Sequence, residues 1–355
     1  MKGKARFVIV GSGWRASYYL RIAKNLPDFF EVAAVLCRRA EKAEALSKEW
    51  GIYATSSVSE CIDMKPDFVV VAVSKNSGNQ VALEWLDRGF FVLAETPAAL
   101  NLEAIEKLKK LSPEKKSRLI VAEQYRLYPE NTAIIRLLES DLLGPVSALN
   151  ISLAHEYHAA SLIRAFMKIP AGMKFFVRAK SYEFPTVETL SRYESFKDGR
   201  IANKKRTVAS FEFQNGKVAF YDFDSEQYRS PIRKNSLKIQ GLRGEIIDRK
   251  VYYLDEKNEG KESEIVIERR KVHRKTENPN FKEFDEIKKI TFEGKSLYEA
   301  PFGLCGLSQD ETAIALLMQK TYDYSLAGDF GKHPYPLEEA IQDAYMAIMM
   351  QSGQL

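Results

Sequence analysis

The sequence lacks any apolar segment that could cross a membrane, which takes about 20 consecutive residues. Its first residues, MKGKARFVIV, lead into a strand-like run without the apolar region and cleavage site of a signal peptide. Only three of the 355 residues are cysteines, and Cys37, Cys61 and Cys305 are widely spaced and odd in number. This set argues against a disulfide framework and a zinc site. We therefore expect a cytoplasmic protein with no membrane association and no metal.

A strong charge of one sign is also absent, because the formal net charge is only +5. The basic stretches RIANKKR and ERRKVHRK have no recognisable nucleic-acid-binding module around them, so we expect solvated loops and no nucleic-acid partner. An apolar content of 45% and a charged content of 28% are ordinary for a globular protein. A chain of this length exceeds one ordinary hydrophobic core, which predicts two domains.

Strand-like and helical patterns alternate through the first 124 residues. The predicted strands cover 5–11, 30–39, 66–74, 90–95 and 118–124, with helical segments between them. Strands alternating with helices at this spacing predict a doubly wound parallel sheet, the α/β Rossmann architecture. We assign this dinucleotide-binding domain to residues 1–123.

The pattern changes after residue 124, where strands follow one another without helices between them. RTVASFEF and KVAFYDFD, joined by Asn215-Gly216, predict a hairpin. SLKIQGLRGEIIDRKVYYL and SEIVIERR are expected to continue the same sheet. Ser308 and Glu311 form a capping-box pattern before a long helix. Residues 124–355 are therefore predicted to form an α+β domain with a largely antiparallel, open sheet.

An open sheet of this kind leaves one face without helices. Phe211, Phe213, Phe220 and Tyr221 make part of the sheet apolar whichever face is uncovered. Because an uncovered apolar sheet face tends to be an interface, we expect a homodimer or a homotetramer.

A glycine-rich turn follows the first predicted strand. Gly11, Gly13 and Ala16 give the pattern G-x-G-x-x-A between a buried strand and a helix. Gly11 allows the tight turn, Gly13 allows close approach of a pyrophosphate, and Ala16 allows close helix–strand packing. The free N–H groups of the helix then face the phosphates. The expected cofactor contacts are Gly11, Ser12, Gly13, Trp14 and Arg15.

The end of the second strand indicates which dinucleotide binds. An acidic residue there would bind the ribose 2′-OH of NAD, but the sequence reads Cys37-Arg38-Arg39. Two guanidinium groups suit a 2′-phosphate, through bidentate hydrogen bonds and stacking on adenine. The alternative is a pair of solvated arginines at the start of a helix. We expect NADP more than NAD.

The segments FVIVGSGWRASYYLRIA, DFVVVAVS, ALEWLDRGFFVLAETPAAL and EQYRLYPEN together resemble the glucose-fructose oxidoreductase, inositol dehydrogenase and rhizopine-catabolism family, Gfo/Idh/MocA. The resemblance implies a Rossmann domain and a C-terminal α/β domain, here residues 124–355, that binds substrate and forms oligomer contacts. It also implies NAD- or NADP-dependent oxidation or reduction of a sugar-like small molecule. The resemblance adds six residues to the expected cofactor contacts, namely Val73, Ser74, Glu95, Thr96, Pro97 and Gln124. Gln124 stands at the family's asparagine position.

The catalytic motifs of that family are altered. The family's Glu-Lys-Pro reads Glu95-Thr96-Pro97, so Thr96 stands at the lysine position. The family's histidine falls on His158, while the two flanking aspartates fall on Ala154 and Ser161. The resemblance therefore implies that the cofactor-binding motif is retained, while the catalytic motifs have lost ionisable groups.

The remaining chemistry depends on His158. Threonine donates a hydrogen bond but does not ionise near neutral pH, whereas a histidine at a helix start is expected to be neutral and can exchange a proton. We expect catalysis to involve His158, Thr96 and Tyr157, with His155 as the next candidate. The resulting prediction is an NAD(P)-dependent oxidoreductase acting on a carbonyl, sugar-like or imine substrate. Family members such as biliverdin reductases, which also lack the lysine, still reduce a conjugated system. The alternative is a dinucleotide-binding sensor or scaffold without turnover.

Overall fold

The computed structural model describes residues 3–327 and 332–352, which fall into two compact units. The first contains the residues up to Tyr128 together with Cys305–Tyr345, and the second contains Pro129–Leu304 together with the residues from Met346 onwards. The sequence pattern predicts a single boundary between residues 123 and 124. The units differ from that division because residues 305–327 and 332–345 pack with the first part of the chain, a relation that no local pattern contains.

A six-stranded parallel sheet forms the core of the first unit. Its strands are β1 (Ala5–Val10), β2 (Phe30–Leu36), β3 (Ala54–Thr55), β4 (Phe68–Val71), β5 (Val92–Ala94) and β6 (Leu119–Val121), in the order β3-β2-β1-β4-β5-β6. The connecting helices are α1 (Ala16–Asn25), α2 (Ala40–Trp50), α3 (Val58–Asp63), α4 (Lys75–Asp87), α5 (Leu102–Lys109) and α6 (Pro113–Arg118). Residues 7–10 and 68–71 are all buried, as expected of a parallel sheet between two helical layers. The predicted doubly wound parallel sheet is confirmed.

The strand order reverses between β1 and β4, which pair directly although β2 and β3 lie between them in sequence. In doubly wound sheets, ligands bind outside the carboxyl ends of the strands at such a switch point. The glycine-rich turn after β1 therefore lies where the fold provides a binding crevice.

Two further helices lie near the end of the chain, α10 (Gln309–Leu326) and α11 (Leu337–Ser352). The capping box that starts α10 is confirmed. Ser308 Oγ accepts from the Glu311 backbone N–H at 3.3 Å, and the Ser308 N–H donates to the Glu311 carboxylate at 2.9 Å. Arg21 of α1 also donates to Glu311 at 2.6 Å. These contacts tie α10 to the glycine-rich side of the first unit.

The second unit contains an eight-stranded sheet, a three-stranded sheet and helices. The strands of the first sheet are β7 (Val146–Ser152), β8 (Phe175–Val187), β9 (Ile201–Phe213), β10 (Val218–Asp224), β11 (Ser236–Gly241), β12 (Gly244–Ile247), β13 (Lys250–Leu254) and β14 (Gly260–Glu264). They lie in the order β14-β13-β12-β11-β7-β10-β9-β8, and β7 and β10 are parallel while the other neighbours are antiparallel. The helices are α7 (Pro129–Glu139), α8 (Glu156–Met167) and α9 (Pro279–Lys282).

One expectation about this sheet is wrong. SEIVIERR continues it only through Ser263 and Glu264, at the end of β14. From Val266 onwards it belongs to β15 (Val266–His273), a strand of a separate three-stranded sheet with β16 (Glu283–Phe292) and β17 (Lys295–Glu299). Strand pairing is chosen by distant partners, and alternation within a segment does not identify them. The largely antiparallel character of the second domain is nevertheless confirmed.

The predicted hairpin is confirmed as the β9–β10 pair, with Gly216 at the turn in the left-handed region. Phe211, Phe213 and Tyr221 point to the covered side and are buried, whereas Phe220 points the other way and is 47% exposed. The uncovered face of the sheet therefore carries Phe220 but not the other three predicted aromatic residues.

Among the residues described, none of the helices combines the length and the apolar character that a membrane span requires.

Candidate functional site

The turn between β1 and α1 has the geometry of a nucleotide cradle. A Cβ at Gly11, where φ is +115°, would lie 2.4 Å from the carbonyl oxygen of Ala72 and 3.3 Å from Val73 Cγ1. A Cβ at Gly13 would meet nothing within 4 Å. Gly11 thus allows β1 to leave the sheet beside β4, while Gly13 faces open space in front of α1. The space beside Gly13 is what a pyrophosphate in contact with the backbone requires.

Ser12 and Trp14 lie in the same turn and are half-buried. The indole ring of Trp14 packs edge-on against Tyr18 of α1, with 4.7 Å between the ring centroids. Val73 and Ser74 follow β4, and Ser74 is the N-cap residue of α4. The structure therefore brings Gly11 and Val73 together, as the predicted cofactor set requires.

The carboxyl end of β2 carries no acidic residue. Cys37 is buried there, at 2% exposure, while Arg38 and Arg39 are exposed. Neither guanidinium group has an ion pair or a hydrogen-bond partner within residues 3–327 and 332–352. Cys37 therefore serves the core of the sheet, and the two arginines are available to an anionic ligand.

Arg15 has partners within the protein. Its Nε donates to Glu95 Oε1 at 2.8 Å, and its Nη1 donates to Asp310 Oδ2 at 2.9 Å. The Tyr19 hydroxyl donates to the same Glu95 oxygen. Burial alone would lower the pKa of Arg15, but the charges of Glu95 and Asp310 outweigh it and hold that pKa well above its usual value. Arg15 and Glu95 are thus brought together, in a charge network at the ends of β1 and β5.

The altered motif follows β5. Thr96 and Pro97 are half-buried and joined by a cis peptide bond. The Thr96 side chain makes no hydrogen bond within the part of the chain that the structure describes. Its hydroxyl is therefore available to a ligand at the carboxyl edge of the sheet.

Gln124 follows β6 and is 3% exposed. Its Nε2 donates to Asp310 Oδ1 at 2.8 Å, so Asp310 bridges Gln124 and Arg15. Glu123, next to it, is also 3% exposed and accepts from the Tyr125 backbone N–H at 3.0 Å. Burial raises the pKa of Glu123 to about 8, against the effects of that hydrogen bond and of Arg126. Glu123 therefore holds a proton near neutral pH.

Sequence reasoning missed Asp310 and Glu123. Asp310 lies 186 residues from Gln124 in sequence. It lies in the first turn of α10, where an acidic residue is common because it interacts favourably with the helix dipole. Glu123 ends an apolar strand, and only its burial distinguishes it from a surface carboxylate. No sequence signal identifies either residue.

In the second unit, His158 and Tyr157 lie in the first turn of α8, where the sequence predicts a helix start. Both are buried, at 5% and 6% exposure, and their ring centroids are 4.4 Å apart. Ala154 and Ser161, at the family's aspartate positions, are fully buried. No carboxylate therefore occupies either position beside His158.

His155, the N-cap residue of α8, contacts two tyrosine hydroxyls. Its Nδ1 is hydrogen-bonded to the Tyr228 hydroxyl, and its Nε2 lies 3.2 Å from the Tyr157 hydroxyl. The rings of His155 and His158 are 5.0 Å apart at their centroids. We call His155, Tyr157, His158 and Tyr228 the α8 cluster. Tyr228, from the loop after β10, is a member that the sequence did not indicate.

Within the described ranges, no group of three or more histidine, cysteine, aspartate or glutamate side chains could hold a metal ion.

One family model matches the N-terminal part of the chain. Residues 5–123 match the model of the GFO_IDH_MocA oxidoreductase family with an NAD-binding Rossmann fold. This match confirms the resemblance for residues 5–123. No curated protein matches the chain.

Solved structures match over nearly the whole chain. An oxidoreductase from Agrobacterium radiobacter in complex with NAD+, L-tartaric acid and magnesium matches with a TM-score of 0.65 and 13% identity, covering 99% of this chain and 96% of that one. Biliverdin reductase from Synechocystis, bound to biliverdin and NADP+, matches with a TM-score of 0.63 and 16% identity, covering 99% of this chain and 99% of that one. A myo-inositol dehydrogenase from Corynebacterium glutamicum matches with a TM-score of 0.61 and 13% identity, covering 99% of this chain and 96% of that one. At these identities the likeness establishes the fold.

Proposed function

We propose that this chain, whose N-terminal part matches the Gfo/Idh/MocA oxidoreductases, is an NAD(P)-dependent oxidoreductase. Its substrate is proposed to be a small carbonyl, sugar-like or imine compound, to or from which a hydride is transferred. The observation that carries the proposal is the open space at Gly13, in front of α1 and beside the strand switch point. A pyrophosphate fits there against free backbone N–H groups.

NADP is the preferred cofactor in this proposal. Arg38 and Arg39 are exposed at the end of β2, where an NAD-specific site would carry an acid. The turn 11–15 would hold the pyrophosphate through its backbone, since the Arg15 side chain is bound to Glu95 and Asp310. When bound, the nicotinamide ring supplies or accepts the hydride.

The proposed substrate class follows from the residues at the catalytic positions. Oxidation of an unactivated alcohol calls for a strong general base, and Thr96 cannot act as one. Reduction of an electrophilic double bond needs only a hydrogen-bond donor and a proton source. Thr96 supplies a hydroxyl, and the α8 cluster, which includes the family-position residue His158 and its neighbour Tyr157, supplies exchangeable protons.

The test has a binding stage and a turnover stage. Calorimetry with NADPH and NADH should show micromolar or tighter binding of NADPH. Turnover is then followed as absorbance at 340 nm, with biliverdin plus NADPH and with myo-inositol or UDP-N-acetylglucosamine plus NADP+. Reduction of biliverdin with no oxidation of the two alcohols supports the substrate class. Oxidation of either alcohol at a comparable rate contradicts it.

A second candidate is a dinucleotide-binding sensor or scaffold without turnover. It is favoured by Thr96 and Ala154, which replace two ionisable groups of the family pattern. Tight NADPH binding, together with no absorbance change for any of the three compounds, would support this candidate instead.

We also propose a homodimer or homotetramer in the cytoplasm. Phe176, Tyr182, Phe184 and Phe220 are 40–54% exposed on the uncovered face of β8 and β10. Such a face suits an interface between two copies. Cys37, Cys61 and Cys305 form no disulfide bond with one another, which fits a reducing compartment.

A further inference from the structure

A charge network lies at the carboxyl edge of the parallel sheet, within the first unit. Arg15 donates to Glu95 at 2.8 Å and to Asp310 at 2.9 Å, and Asp310 also accepts from Gln124 at 2.8 Å. The side chains of Arg15, Glu95 and Asp310 are only 21%, 14% and 23% exposed. One guanidinium group therefore stands against two carboxylates, and water screens the remaining negative charge poorly.

Neighbouring ionisable groups do not cancel that charge. The Tyr19 hydroxyl, which donates into the network, stays protonated because burial and the adjacent carboxylate raise its pKa. Glu123 is neutral at pH 7 because burial raises its pKa to about 8. Lys75, the first residue of α4, is exposed, so water and salt screen its charge. Two further arginines are each paired with a glutamate, Arg21 with Glu311 at 2.6 Å and Arg126 with Glu339 at 3.6 Å.

The network lies on one side of the strand switch point. The order β3-β2-β1-β4-β5-β6 divides the sheet into two halves, and a dinucleotide bound at the switch point spans both. In the proposed function, the adenosine half belongs with β2, which Arg38 and Arg39 follow. The nicotinamide half then belongs with β4–β6, where Glu95 follows β5 and Gln124 follows β6. The negative charge is thus on the nicotinamide side.

The nicotinamide ring differs in charge between its two forms. The oxidised ring of NADP+ carries one positive charge, whereas the reduced ring of NADPH, which has gained a hydride, carries none. The rest of the molecule is the same in both forms. A negative charge on this side of the site therefore favours NADP+ over NADPH, since a protein tunes a bound cofactor through the charges around it.

Thr96 leaves the charge of the network uncompensated. The family resemblance places a lysine at this position, and an ammonium group there would balance the excess carboxylate. Thr96 follows Glu95 directly and has an uncharged side chain, which makes no hydrogen bond to the described part of the chain. The change from the family pattern therefore removes a cation from the edge that already carries a negative charge.

We propose that Asp310 sets a preference of the site for the oxidised over the reduced cofactor, and that Thr96 preserves this preference by adding no cation. This inference rests on the proposed function, which supplies the dinucleotide. Tighter binding of NADP+ lowers the reduction potential of the bound couple, so bound NADPH releases its hydride more readily. Such a site suits the reduction of an electrophilic double bond.

Calorimetry at pH 7 tests the preference by measuring the Kd of NADP+ and of NADPH for each variant. Asp310→Asn should raise the Kd of NADP+ about 10-fold more than that of NADPH, the size of effect that one charge has across roughly 10 Å of protein. This change in the ratio corresponds to about 30 mV for a two-electron couple. A purely structural role of Asp310, such as support of Arg15 or Gln124, would raise both constants equally. The same ratio is measured with NAD+ and NADH if that pair binds more tightly.

The matched control is Asp87→Asn, which removes the same charge from the last residue of α4, at the opposite edge of the sheet, where the side chain is 58% exposed. It should leave the ratio unchanged. A second variant, Thr96→Lys, adds a cation without removing the contacts of Asp310. It should shift the ratio in the same direction as Asp310→Asn. Thr96→Met, which adds length but no charge, should not shift it.

Two results overturn the inference while both cofactor forms bind. One is an Asp310→Asn ratio that equals the parent ratio or the Asp87→Asn ratio. The other is an equal ratio in Thr96→Lys and Thr96→Met, which decides the matter if Asp310→Asn does not fold. A parent protein that binds none of NADP+, NADPH, NAD+ and NADH overturns the proposed function itself, and this inference with it.

Discussion

Arg15, the residue before α1, donates from Nε to Glu95 Oε1 at 2.8 Å and so joins the glycine-rich turn to the end of β5. The two side chains are 21% and 14% exposed, and Tyr19 donates to the same carboxylate. A mostly buried carboxylate that loses its cation keeps its desolvation cost. The pair therefore matters more for the local fold than an exposed ion pair would.

Replacement of Arg15 with Ala should lower the free energy of unfolding of the first unit by about 2–4 kcal/mol, because Glu95 and Asp310 would both lose their cation. Urea denaturation measures the change. The control is Lys107→Ala, whose ion pair with Glu103 is 69% and 76% exposed and should contribute less than about 0.5 kcal/mol. Equal effects of the two substitutions would show that the Arg15 pair has no special role.

Replacement of Arg38 with Ala should weaken NADPH binding by about 10- to 100-fold, since a lost charge-assisted hydrogen bond costs about 1.5–3 kcal/mol. NADH lacks the 2′-phosphate, so its affinity should hardly change. Calorimetry with both cofactors checks this, with Lys42→Ala on α2 as a control of equal charge. An equal loss for both cofactors is the outcome that excludes a 2′-phosphate contact.

Replacement of Glu123 with Gln should stabilise the protein at pH 8 and leave it nearly unchanged at pH 5. Burial raises the native pKa of Glu123 to about 8 from its ordinary value of 4.5. Between these values the native state keeps a proton that the unfolded state has released, so stability falls as pH rises toward 8. The difference between pH 6 and pH 8 should be about 1–3 kcal/mol.

Chemical unfolding of the Glu123→Gln variant and its parent from pH 5 to pH 8 measures this difference. Glu114→Gln on α6, where the side chain is 66% exposed, is the control and should show no such trend. Parallel stability curves for Glu123→Gln and the parent would mean that Glu123 is ionised in the native protein.

Replacement of Phe220 with Glu should dissociate the proposed oligomer, because a charge would replace an exposed aromatic ring on the uncovered sheet face. Light scattering at micromolar concentration should give a dimer or tetramer for the parent and a monomer for the variant. Leu102→Glu, at a 50% exposed position on α5, should leave the mass unchanged. A monomeric parent protein would remove the basis for the interface.

The sequence by itself determined the features that depend on neighbouring residues. The buried run before Gly11, the hairpin at Asn215-Gly216 and the capping box at Ser308 all follow from periodicity, turn chemistry and capping within a few residues. The absence of an acidic residue after β2 also follows from the sequence alone, because it concerns only the residues directly after that strand.

Only the tertiary structure decided which distant groups meet. It placed Asp310 between Arg15 and Gln124, put residues 305–345 with the first unit, and gave Val266–His273 to a separate sheet. It also brought Tyr228 to His155, 73 residues earlier in the chain. The pairing of strands and the burial of a carboxyl such as Glu123 result from the packing of whole elements, and periodicity within a segment does not specify the partner on which that segment packs.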